Sequence, residues 1–144
     1  MGKKRIVKQK GQRVDRGLKA RAISRVPKKK LSAGRLYVQS TFNNTLGLVT
    51  DPSGNAVMSS SSGALGFKGA KKGTPFAAAK VGEVLGEKAK MIGLQEVDVF
   101  VTGVGSGRES LIRSFAGHGI ALRSIEDRTP HPHNGVRPRK ARRV

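Results

Sequence analysis

Apolar and polar residues alternate along five short stretches of the chain, and two other stretches have the spacing of an amphipathic helix. The alternation predicts strands at residues 35–42, 46–50, 56–60, 96–102 and 120–127. The helical spacing predicts one helix from Pro75 to Gly93, with Thr74 as its N-cap, and a second helix over residues 108–116. The order β-β-β-α-β-α-β indicates an α/β domain with a mixed sheet and helices packed on it.

The pattern also predicts which faces of these elements are buried. In the first helix the apolar stripe consists of Ala77, Val81, Val84, Leu85, Ala89 and Ile92. Gly82 and Gly86 weaken this helix, and we expect them to let it pack closely on the sheet. In the fourth strand, Val97, Val99 and Val101 share one face.

Positive charge is concentrated at the two ends of the chain. Residues 1–30 carry 13 Lys or Arg and one acid, Asp15, for a net charge of +12. Residues 31–130 carry 11 Lys or Arg and 8 acids, for a net +3, and residues 131–144 carry 5 Lys or Arg and no acid. Blocks of like charge often act as interaction tails, and the net charge of +20 favours a polyanionic partner.

The charge distribution predicts three parts of the chain. They are a basic N-terminal extension at residues 1–33, an α/β core at residues 34–129 and a basic, proline-containing C-terminal arm at residues 130–144. Because a solvated tail does not need a charge of +12, we expect the tails to bind nucleic acid and to order when they do so.

Composition excludes several other classes of protein. The chain has no Cys, which excludes disulfides and thiolate metal sites. No apolar run reaches the roughly 18 residues of a membrane span, and the basic N-terminus has no apolar segment behind it. We therefore expect a cytoplasmic protein without a membrane partner. One Tyr, five Phe and no Trp argue against a sheet face that reads single strands by base stacking.

A glycine-rich loop at residues 103–110 joins a predicted strand to a predicted helix. Ser106 and Glu109 fit a capping box at the helix start. The helix N-terminus and Arg108 together predict a phosphate site. The alternative is a nucleotide-binding loop, although the Walker lysine and the G-x-G-x-x-G spacing are both missing.

Two further segments favour phosphate binding. The glycine-rich loop at residues 63–74 carries Lys68, Lys71 and Lys72 and leads into a helix N-terminus. Three prolines stiffen the C-terminal arm into an extended shape that can thread into folded RNA. His131 and His133 have no evident third ligand, so we expect no metal or other cofactor. The scattered carboxylates form no catalytic arrangement, so we expect no enzymatic activity and no small-molecule substrate.

Five segments, taken in order, resemble the S-eleven family of small-subunit ribosomal proteins. They are residues 40–45 (STFNNT), 50–55 (TDPSGN), 66–69 (GFKG) with the following Thr74 and Pro75, 105–110 (GSGRES) and 132–138 (PHNGVRP). Asn134, where other branches have Asp, resembles the bacterial branch. The resemblance covers residues 34–144, whereas the N-terminal extension matches nothing specific.

The resemblance implies a ribonuclease-H-like core without catalytic function. It also implies a place on the platform of the small subunit near the exit side of the messenger RNA, with small-subunit ribosomal RNA and neighbouring platform proteins as partners. With the charge argument for Arg128, the implied RNA-binding residues are Asn43, Asn44, Lys68, Lys71, Lys72, Ser106, Arg108, Arg128, His133, Asn134, Arg137, Arg139, Lys140, Arg142 and Arg143. Two alternatives stay open, namely nucleotide binding by residues 103–110 and membrane-surface binding by the N-terminal tail.

Overall fold

A computed structural model of the protein describes residues 16–143, which form a five-stranded mixed sheet with helices on one face. The strands are β1 (Ala33–Ser40), β2 (Thr45–Thr50), β3 (Ala56–Ser61), β4 (Glu96–Thr102) and β5 (Ala121–Asp127). The helices are α1 (Arg16–Ser24), α2 (Pro75–Met91) and α3 (Arg108–Ala116), and a 3₁₀ turn spans Gly69–Gly73. The α/β prediction is confirmed.

The strand order is β3-β2-β1-β4-β5. β1, β2 and β3 pair in antiparallel fashion, as short turns require, while β1, β4 and β5 run parallel to one another. The carboxyl ends of β1, β4 and β5 therefore meet at one edge of the sheet. The starts of α2 and α3 follow the loops at this same edge, which is where the candidate site lies.

The core lies between the sheet and the pair α2 and α3. Leu36, Val38, Val97, Val99 and Val101 from the two central strands are all buried, as their alternation predicted. The predicted apolar stripe of α2 is buried along its whole length. At Gly47 a Cβ would lie 2.4 Å from Leu85 Cδ1, so the glycine in β2 lets α2 approach the sheet.

Gly82 and Gly86 do serve close packing, but the expectation that they face the sheet is wrong. A Cβ on Gly82 would lie 2.4 Å from the carbonyl oxygen of Leu111, and one on Gly86 would lie 2.3 Å from the ring of His118. Both glycines therefore admit α3 and the turn that follows it. Gly93 ends α2 as predicted, with a φ of 81° just beyond the C-cap.

α1 was not predicted by the sequence pattern. It packs on α2, and Lys19 lies 3.2 Å from Glu87 and 3.8 Å from Glu83. Ala22, Ile23 and other apolar side chains of residues 22–31 are partly buried against the core. Residues 16–33 of the predicted extension are thus attached to the domain, whereas its first 15 residues lie outside the described chain. No helix within residues 16–143 is long and apolar enough to cross a membrane.

Candidate nucleic-acid interface

Three loops meet at the edge where the parallel strands end. They are the β1–β2 turn at residues 41–44, the lysine-bearing loop at residues 62–74 and the glycine loop at residues 103–107, and we call them together the loop cluster. The hydroxyl of Ser106 donates a hydrogen bond to the carbonyl oxygen of Gly73 at 3.0 Å, which joins the second loop to the third. Two of the three segments singled out in the sequence therefore lie side by side.

Glycines make this close approach possible. A Cβ on Gly73 would lie 2.1 Å from the carbonyl oxygen of Phe42, and one on Gly103 would lie 2.1 Å from that of Ser40. A Cβ on Gly105 would lie 2.4 Å from the carbonyl oxygen of Thr41. Any side chain at these positions would push the loops apart, so the glycines fix the shape of the loop cluster.

The β1–β2 turn is held by its own hydrogen bonds. The backbone N–H and the hydroxyl of Thr41 both donate to the carbonyl oxygen of Asn44, at 2.9 and 3.2 Å, and the N–H of Asn44 donates back to the hydroxyl at 3.1 Å. Asn43 is exposed at the tip, and Asn44 is half-buried. The turn therefore presents its side chains from a fixed backbone.

The glycine loop differs from its prediction at the helix start. Gly107, not Ser106, is the N-cap of α3, and no side chain caps this end. The predicted capping box is therefore wrong, because the Ser106 hydroxyl is committed to Gly73 across the loop cluster. The first turn of α3 keeps its N–H groups free of a capping side chain, which suits an anion.

Arg108 is bound within the protein. Its guanidinium donates to the carbonyl oxygen of Gly103 at 2.7 Å and forms an ion pair with Asp127 at the end of β5. Arg108 thus closes the glycine loop and ties it to the neighbouring strand. Its charge is partly compensated, unlike that of the loop lysines.

Asp127 forms the root of the C-terminal arm. It accepts hydrogen bonds from the Thr129 N–H at 2.9 Å and the Thr129 hydroxyl at 2.5 Å, and the Thr129 hydroxyl accepts from the N–H of Gly103 at 3.2 Å. The bonds from Thr129, and then the pair with Arg108, hold the pKa of the Asp127 carboxyl well below its usual range. The arm therefore leaves the core beside the loop cluster.

Arg128 packs on the sheet face that carries no helix. Its guanidinium lies 3.9 Å from the centre of the Phe100 ring, which stacks on Tyr37, and it binds Glu126 through two hydrogen bonds of 2.9 and 3.1 Å. The Glu126 partner raises the pKa of Arg128. This arginine fixes the start of the arm.

Beyond Arg128 the arm is exposed and extended through residue 143. Asn134 has a φ of 57°, a left-handed conformation that Asn tolerates, so the arm bends there before Gly135. The rings of His131 and His133 have centroids 6.1 Å apart. Within residues 16–143 no three metal-binding side chains come together.

The charges of the described residues fall into two groups. Each of their eight carboxylates lies within 4.0 Å of a Lys or Arg nitrogen. Lys68, Lys71, Lys72 and the five cations from Arg137 to Arg143 have no carboxylate partner within residues 16–143. The unpaired positive charge thus lies in the loop cluster and the arm, two segments joined at Thr129.

The structure therefore brings together most of the predicted residues. Asn43, Asn44, the three loop lysines and Ser106 share the loop cluster, and the arm residues from His133 onward begin beside it. The sequence analysis missed Phe42, which it placed at the end of a strand. Since β1 ends at Ser40, Phe42 lies in the turn with 77% of its surface exposed. An aromatic residue directly before Asn-Asn was the available signal.

The fold and this surface define a small α/β domain that presents unpaired cations, glycine-shaped loops and an extended arm to a polyanion. Residues 34–143 match the family model described as Ribosomal protein S11. Small ribosomal subunit protein uS11 from two strains of Treponema pallidum, one of them the Nichols strain, is in each case 57% identical over 120 residues, which cover 83% of this chain and 95% of each relative. The chain belongs to the ribosomal protein S11 family.

Proposed function

We propose that the chain is a structural component of the small ribosomal subunit that binds small-subunit ribosomal RNA through the loop cluster and the C-terminal arm. Its place is the platform near the exit side of the messenger RNA, beside neighbouring platform proteins, in the cytoplasm. It acts by holding RNA in shape, without a small-molecule substrate or catalysis.

The arrangement of unpaired charge carries this proposal. The loops at residues 41–44, 62–74 and 103–107 contain no Asp or Glu at all. Lys68, Lys71 and Lys72 stand next to the start of α2, a 17-residue helix whose dipole also favours phosphate. Such a surface attracts the RNA backbone and repels basic proteins.

The predicted RNA-binding residues take two roles in this proposal. Asn43, the loop lysines, His133, Asn134 and the cations from Arg137 to Arg143 face solvent and contact RNA directly. Asn44, Ser106, Arg108 and Arg128 are held by partners within the protein, and they position the loops and the arm while their exposed atoms meet the RNA. Proteins commonly fix their register on nucleic acid through such backbone contacts.

The alternative of a nucleotide-binding loop loses support from the hydrogen bonds of residues 103–107. A phosphate cradle needs several free N–H groups that point at one anion. The N–H of Gly105 is donated to the carbonyl oxygen of Ser40 at 2.9 Å, and that of Gly103 to the Thr129 hydroxyl. These two donors are therefore used to hold the protein together.

RNA footprinting tests the proposal. The full-length chain is incubated with small-subunit ribosomal RNA in Mg²⁺ buffer, and backbone cleavage by hydroxyl radicals is mapped with and without protein. We expect protection of a compact set of backbone positions that shrinks when Lys68, Lys71 and Lys72 are replaced by Gln. A uniform, sequence-independent protection, or none, would contradict a specific structural role.

A further inference from the structure

Phe42 is the most exposed aromatic side chain in the described part of the chain, and it stands at the tip of the loop cluster. Its ring is 77% exposed, although burial of an aromatic ring stabilises a folded domain more than most side chains. Phe67 and Phe76 contact each other at 6.1 Å, and Phe76 also lies under Lys80. No ring or cation contact to Phe42 occurs within residues 16–143.

The backbone of Phe42 is fixed even though its ring is free. The Thr41 and Asn44 hydrogen bonds close the turn on both sides of it. Gly73 packs directly on its carbonyl oxygen, and that contact exists only because Gly73 has no Cβ. A ring held out on a fixed backbone loses little conformational entropy when a flat ligand stacks on it, since only two side-chain torsions remain.

The surroundings of Phe42 indicate which partner covers the ring. Gly73 joins the turn to Lys71 and Lys72, and the loop cluster carries no acidic residue. A protein that covered a lone ring among unpaired lysines would have to desolvate them or supply acids. RNA supplies both a flat apolar surface and the compensating phosphates, and every base has a face that can stack.

We propose that Phe42 is a stacking platform for one unpaired base of the RNA bound by the loop cluster. The base lies on the ring, and the adjoining phosphate lies toward Lys71 and Lys72. This inference rests on the proposed function and adds a base contact to what is otherwise a backbone-binding surface. It also differs from the sheet-face stacking that the low aromatic content argues against, because the ring stands on a loop.

A single-tryptophan variant reports stacking directly. Because the chain contains no Trp, Phe42→Trp places one fluorophore at the proposed platform. We expect small-subunit ribosomal RNA to quench its emission at the same RNA concentration at which binding saturates. The matched control is Met91→Trp, at a side chain 59% exposed at the opposite end of α2, and its emission should not change.

Affinity measurements separate stacking from apolar contact. We expect Phe42→Ala and Phe42→Leu to weaken RNA binding about 5- to 150-fold, and Phe42→Tyr to bind like the original chain. The leucine keeps most of the apolar area but cannot stack. Since the ring is exposed, all these variants should keep the original urea midpoint, which checks that they fold.

The outcomes distinguish this inference from the proposed function. If the unaltered chain binds the RNA and Phe42→Ala binds equally well with no quenching at position 42, the stacking platform is refuted and the proposed function stands. If Phe42→Leu binds as well as the original chain, the contact is apolar and stacking is again refuted. If the unaltered chain does not bind the RNA at all, both proposals fail.

Discussion

The salt dependence of RNA binding gives the sharpest test of the C-terminal arm. Arg139, Lys140, Arg142 and Arg143 are exposed and have no carboxylate partner within residues 16–143. If each neutralises one phosphate, each contributes about 0.7 to 0.9 to the slope of log K against log salt. Replacing all four by Gln should therefore make the slope shallower by about 2.8 to 3.6.

That slope difference predicts a large and measurable effect. Between 50 and 200 mM KCl, a fourfold change, the original chain should lose roughly 50- to 150-fold more affinity than the four-Gln variant. The assay is a filter-binding titration of full-length protein with small-subunit ribosomal RNA, at constant Mg²⁺ because divalent ions also compete for phosphate.

A control variant with the same loss of net charge isolates the arm. Lys19, Lys80, Arg113 and Arg123 are each paired with a carboxylate of the core, so replacing these four by Gln removes equal charge from compensated positions. We expect this variant to change the slope far less than the arm variant does. Equal slopes for the two variants would mean that only net charge matters, and the arm would then have no phosphate contacts of its own.

Three further predictions concern the core. Gly82→Ala should lower the free energy of unfolding by about 1–3 kcal/mol in urea because its Cβ would lie 2.4 Å from the Leu111 carbonyl oxygen, whereas Gly63→Ala, with only ordinary contacts, should change it by less than about 0.5 kcal/mol. Leu111→Ala should cost about 2–5 kcal/mol because this side chain is fully buried, and a loss under about 1 kcal/mol would contradict that packing. The hydrogen bond from Lys29, then those from Asn55, lower the pKa of Asp51, so their stabilisation is present above the ordinary carboxyl value of 3.8 and is lost as pH falls below it. The urea midpoint of Asp51→Asn should therefore lie below that of the original chain at pH 6 and converge with it toward pH 2, and equal midpoints at pH 6 would refute the reasoning.

The regular elements of the core were predictable because they depend on local periodicity. Period-two alternation at residues 96–102 and helical spacing from Pro75 onward both report a single buried face. α1 was not predictable in this way, since its nine residues include no buried side chain. It is attached by ion pairs of Lys19 with acids more than 60 positions away, and a local pattern carries no trace of such contacts.

The candidate site was predictable as segments but not as a surface. Each loop has a recognisable glycine and lysine content, and the arm has its prolines. Their meeting at one edge follows from the parallel pairing of β1 with β4 and of β4 with β5, which no single segment specifies. The failed capping box has the same cause, since the hydroxyl of Ser106 finds Gly73 only once both loops are in place.

The pairing of every described carboxylate explains how a core with a net charge of only +3 presents a basic surface. Pairing on α2, α3 and β5 leaves little field over those faces, so the field of the domain is dominated by the loop cluster and the arm. An RNA that approaches is therefore steered toward the edge where the parallel strands end, before any specific contact forms. The same pairing keeps Arg108, Arg123 and Arg128 in fixed positions, so the acids of the core order the site and also direct the charge.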